Sequence, residues 1–85
     1  MTLANACRVL DDIAGGRVPD RSQAIRGLYA LDPLVGSGDC EKALLDAACT
    51  LELLVASGGA ASFLRARRRE AAALAAAVRR AMDQN

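Results

Sequence analysis

Apolar residues recur along this chain at the three- and four-residue spacing of helices, and glycine- and proline-containing breaks cut the pattern into four segments. In the first, about residues 2–14, Leu3, Ala6, Cys7, Leu10, Ile13 and Ala14 share one face. Asn5, Arg8, Asp11 and Asp12 fill the other. Gly15 and Gly16 end this helix, because glycine readily takes the left-handed cap conformation. The second segment, residues 20–31, opens on Asp20 as N-cap, with Gln23 completing a pattern like a capping box. Ala24, Ile25, Leu28 and Leu31 form its buried face, with Tyr29 at the edge. Pro33 disfavours helical geometry at Asp32, so the helix is expected to stop near Leu31. The stretch 32–39 then reads as a loop, with Leu34 and Val35 tucked down as an apolar plug.

The third segment, residues 39–57, starts at Asp39 as N-cap. At 100° per residue, Leu44, Ala47, Ala48, Leu51, Leu54 and Val55 form one wide apolar face. Leu45, Cys49, Leu53 and Ala56 form a second strip elsewhere on the helix. Glu41 with Glu52, and Lys42 with Asp46 and Thr50, are the polar lines between them. A helix apolar on two sides is either central to a bundle or shared between the bundle and a partner. The fourth segment, residues 60–82, packs through Phe63, Leu64, Ala71, Leu74, Val78 and Met82. Arg65, Arg68, Arg69, Arg79 and Arg80 lie together on the opposite face, while Arg67 projects within the apolar strip. If buried, Arg67 needs a carboxylate, and Glu52 or Asp46 is the expected source. No internal repeat or strand-like alternation is present. The expected fold is all-α: one compact domain over residues 1–85, four helices with short loops, consecutive helices antiparallel.

Composition makes a partner subunit the physical expectation. The 85 residues include no Trp, one Phe and one Tyr, so leucine and abundant alanine must build the core. Alanine buries little apolar area, and stabilisation scales with that area at about 25 cal/mol per Å². Small domains with thin cores need a staple, a metal or another subunit. The cysteines Cys7, Cys40 and Cys49 do not form a disulfide or zinc pattern, and there is no His. Unpaired thiols fit a reducing cytoplasm. No signal peptide is evident at the N-terminus, and no uncharged stretch is long enough to span a bilayer. A homodimer through Leu45, Cys49, Leu53 and Ala56 is therefore expected.

The chain carries little that could do chemistry. With His absent and Lys42 the only lysine, general acid–base groups are scarce. Cys40, placed in the first turn of the third helix, is the best nucleophile candidate, but Asp39 and Glu41 flank it and disfavour a thiolate. Asp11 and Asp12 are adjacent, so they point to different sides of a helix and make no metal pair. The glycines at 36–38 lack the lysine and preceding strand of a phosphate loop. No cofactor or metal is expected, and an enzyme is not.

Charge is uneven. Residues 1–59 hold five basic and eight acidic side chains, whereas residues 60–85 hold six arginines against Glu70 and Asp83. The arginine face is therefore either neutralised by the acidic helices, or free to meet an acidic protein partner or nucleic acid. The stretch DRSQAIRGL, Asp20–Leu28, resembles the start of the second helix in ribbon-helix-helix DNA-binding proteins, where R-S-x-x-I-R is common; the first segment then resembles that family's first helix. The resemblance covers about 25 residues and implies a small dimeric DNA-binding regulator. The family reads bases with a strand ahead of the first helix, and here the first helix already begins near Thr2, so the base-reading part has no counterpart. The leading expectation is a non-enzymatic protein that binds another protein: an accessory subunit, a chaperone-like protein or a phage inhibitor of a bacterial host factor. The Ala-, Arg- and Gly-rich composition is that of GC-rich bacteria and their phages. The DNA-binding regulator is the alternative.

Overall fold

The computed structural model of the chain describes residues 2–36 and 40–84, and these form four α-helices with no strand among them. The helices are α1 (Leu3–Ala14), α2 (Arg21–Gly36), α3 (Lys42–Ser57) and α4 (Ala61–Asp83). Each packs on two others: α1 and α3 both lie against α2 and α4. Side-chain contacts fix their directions. Asp11 pairs with Arg79 and the Ala14 carbonyl meets Arg68, so α1 and α4 are antiparallel. Glu41, just before α3, pairs with Arg80 near the end of α4. The start of α2 lies near the end of α3, where Pro19 and Arg21 line one depression with Leu54 and Gly58. The result is an up-down-up-down bundle, 32 × 20 × 18 Å.

The core follows the helical spacing. Leu10, Ile13, Leu31, Leu51, Val9 and Val78 are fully buried, and Ala6, Ala24, Ala47, Ala71, Ala75 and Ala77 let the helices close together. Helix ends are set by local chemistry. Gly16 and Gly58 take positive φ, 76° and 68°. Their backbones complete matching C-terminal turns, with Arg17 N–H donating to the Asp12 carbonyl and Gly59 N–H to the Leu54 carbonyl. Asp20 caps α2, its carboxylate accepting the Ser22 N–H at 2.9 Å.

Several details differ from the sequence reading. α2 does not stop at Leu31 but continues through Pro33 to Gly36. Proline costs a helix one backbone donor and crowds the preceding turn. Here Pro33 sits on the exposed side, while Leu34 and Val35 just beyond it pack against the core and hold the last turn in place. Those two residues are the expected plug, delivered by a helix instead of a loop. Asp39, the expected cap of α3, lies outside the described residues; α3 begins at Lys42 with Glu41 in the cap position. Cys40 consequently precedes the helix instead of occupying its first turn. Thr50 is buried, not part of a polar line, because its hydroxyl donates to the Asp46 carbonyl one turn back at 2.8 Å and needs no water. Met82 is exposed at the end of α4, beyond the core. Among the described residues, no helix is long and apolar enough to cross a membrane.

Candidate protein interaction surfaces

The wide apolar face of α3 is core, with Leu44, Ala47, Ala48, Leu51 and Leu54 buried. The second strip is not. Leu45 and Leu53 are 44% and 45% exposed, and Cys49 and Ala56 are exposed between and beyond them. α3 thus stands at the bundle's surface with its second apolar face uncovered. At 1.5 Å per residue the strip runs about 17 Å along the helix. Glu52 borders it on one side and Asp46 on the other, both exposed. An uncovered apolar line with a charged border is how a helix presents an interface.

The arginines of α4 divide into two groups. Arg79 is paired with Asp11 of α1, and Arg80 donates to Glu41 at 2.9 Å. Arg68 reaches across to α1, where its Nε donates to the Ala14 carbonyl at 3.3 Å; a guanidinium there suits the negative end of that helix. Arg65 and Arg69 are exposed and form no ion pair with any described residue. The single face expected from helical spacing is therefore partly neutralised by the bundle, with Arg65 and Arg69 left toward solvent. Arg67 is half-buried. Neither Glu52 nor Asp46 is its partner. Its guanidinium lies 5.6 Å from the Phe63 ring centre and 3.5 Å from Glu70 on the same helix. The buried residues of α4 run from Ala71 to Val78, so Arg67, nearly two turns from the helix start and ahead of them, does not need a buried counter-charge.

Val18, 76% exposed, was invisible to periodicity because it sits alone between Arg17 and Pro19, outside any helix. With Ile13, Gly16, Ala61, Leu64, Arg65 and Arg68 it lines a groove of about 250 Å³ where the α1–α2 connection passes α4. Tyr29 on α2, 57% exposed, is a further large side chain that the bundle leaves out, besides Val18, Leu45, Leu53 and Met82.

A second depression, of about 390 Å³, lies between α1 and the end of α4 and includes Cys7, Asp11, Arg79 and Met82. Cys7 sits in its wall. Burial pushes the thiol above its ordinary value, the Arg79 charge opposes this and Asp11 reinforces it. The thiol accordingly stays protonated, which is the setting of a packing cysteine and not of a nucleophile. Among the described residues, no cluster of three or more cysteine and carboxylate side chains is placed to hold a metal ion.

No protein-family model, curated protein or solved structure matches this chain.

Proposed function

We propose that this protein works without catalysis, by binding another protein, and that it does so as a homodimer. The observation that carries the reading is the uncovered strip on α3. Leu45 and Leu53 are large apolar groups held exposed on one helix face, and burying their apolar area against a partner would favour association. Leu45, Cys49, Leu53 and Ala56 are assigned to self-association. The partner protein is assigned to the α4 side, where Arg65 and Arg69 pair with no carboxylate among the described residues and suit an acidic surface. Arg68, Arg79 and Arg80 extend that field while already holding internal contacts. The three free thiols suit a reducing cytoplasm. An accessory subunit, a chaperone and a phage inhibitor of a host factor all fit such a surface.

The test is affinity purification from a bacterial lysate with the parent chain, with Arg65→Glu/Arg69→Glu and with Leu53→Glu. A protein retained by the parent and lost with the arginine reversals supports the reading. Retention of DNA in place of protein overturns it in favour of a small DNA-binding regulator.

A further inference from the structure

We infer that two copies of this chain join through α3 in antiparallel, with the two-fold axis passing at Cys49. The inference rests on the reading of the α3 strip as a self-association surface, and it adds the direction and register. The strip is nearly palindromic in position. Leu45 and Leu53 stand four residues either side of Cys49, and Lys42 and Ala56 stand seven either side. At 100° per residue, Leu45 and Leu53 turn about 40° to opposite sides of Cys49, and Lys42 and Ala56 about 20°. A two-fold axis perpendicular to the helix brings each member of such a pair level with the other. Leu45 of one copy then lies beside Leu53 of the second copy, once at each end of the contact. A parallel pairing instead sets Lys42 against its own copy.

Cys49 suits the crossing point because it is small. With helix axes about 8–10 Å apart and each Cα about 2.3 Å off its axis, the two Cys49 Cα atoms come within about 3.5–5.5 Å. Cysteine fits in that space, and the upper part of the range is within reach of a disulfide. Charge agrees with the direction. Lys42 of each copy arrives at the last turn of the other's α3, the helix end that favours a cation. Asp46 and Glu52 come to the same level across the axis but on opposite flanks, so the apolar strip separates them. The contact is small beside the roughly 800 Å² per partner of a standard interface, so the dimer is expected to be weak and concentration-dependent.

Sedimentation equilibrium from micromolar to millimolar concentration measures the association, and cysteine cross-linking measures its geometry. Under copper-phenanthroline oxidation the parent chain and Cys40→Ser are expected to give a covalent dimer, and Cys49→Ser none. On a Cys40→Ser/Cys49→Ser background, a chain carrying Leu45→Cys is mixed with one carrying Leu53→Cys. Antiparallel packing links the two different chains several-fold more than either links to itself. If each links mainly to itself, the direction is overturned while the strip remains the dimer surface. A parent chain that stays monomeric at millimolar concentration overturns both the register and the dimer reading. A dimer that persists in Leu53→Glu and does not link through Cys49 places the contact elsewhere and overturns the inference as well.

Discussion

Gly27 of α2 presses on Ala6 of α1: a Cβ added at Gly27 meets the Ala6 backbone Cα and N at 2.8 Å. Both residues are buried, and the helices touch here backbone to backbone. In a core built from alanine, such close approach is how two helices gain dispersion contacts without large side chains.

The first prediction follows from that contact. In an isolated helix, glycine to alanine gains about 1 kcal/mol in propensity. At position 27 the added methyl pushes against the Ala6 backbone and its Cβ, neither of which can swing aside, and overpacking costs about 1–3 kcal/mol. Steric cost is expected to win. Gly27→Ala should lower the urea midpoint, whereas alanine at Gly36, where nothing lies within 4 Å of the added methyl, should not. A Gly27→Ala chain as stable as the parent would show that α1 and α2 are less tightly joined.

The second prediction concerns Cys7 and pH. Its thiol lies 3.9 Å from the Ala75 carbonyl and 3.7 Å from the Met82 sulfur, with Asp11 and Arg79 facing it. Burial raises the folded pKa above the ordinary value of 9.0, so the neutral form is favoured in the fold. The unfolded chain therefore releases this proton first. The contribution to stability is fully present below about pH 9 and is lost as pH rises through the folded value. Urea unfolding of the parent and of Cys7→Ala between pH 7 and pH 11 should show a steeper alkaline loss in the parent. Parallel curves would refute it. Alkylation should also reach exposed Cys49 well before buried Cys7.

What could be read from the sequence divides along physical lines. Helices whose apolar spacing and glycine caps agree, as in α1 and α3, were legible to within a few residues at their ends. α2 was misread at Pro33, because a local rule about proline competes with the burial of Leu34 and Val35, and only the packed bundle decides between them. Thr50 was misplaced for a similar reason: hydroxyl chemistry suggests solvent, but a bond to the carbonyl one turn back removes the need for it. Helical spacing located both the α3 strip and the arginine cluster. It could not tell that the strip faces away from the bundle, or that Asp11 and Glu41 engage Arg79 and Arg80. Those facts depend on which helices are neighbours, and periodicity within one helix does not encode that.

The last prediction separates Arg67 from Arg65 and Arg69. If Arg67 were buried against a distant carboxylate, its loss would cost several kcal/mol. Half-exposed, stacked near Phe63 and 3.5 Å from Glu70, it has contacts that solvent largely screens. Exposed pairs of this kind contribute about 1 kcal/mol or less, and an exposed cation–π contact about the same. Arg67→Ala should therefore shift the melting temperature only slightly. Arg65→Glu/Arg69→Glu should also leave the fold intact, because neither side chain pairs with a described residue. Their roles diverge in binding. Two reversed charges on the exposed side of α4 should slow association with an acidic partner, and the defect should shrink as salt is added, since rim charges act mainly on association rate. Arg79→Glu is a useful contrast, because it also breaks the pair with Asp11 and places two carboxylates side by side. It should lower both stability and affinity. Calorimetry on the three variants, with partner association measured at low and high salt, tests the division. A double reversal at positions 65 and 69 that leaves association unchanged at low salt would make the arginine face a solvated surface, and the partner would have to be sought at the groove beside Val18.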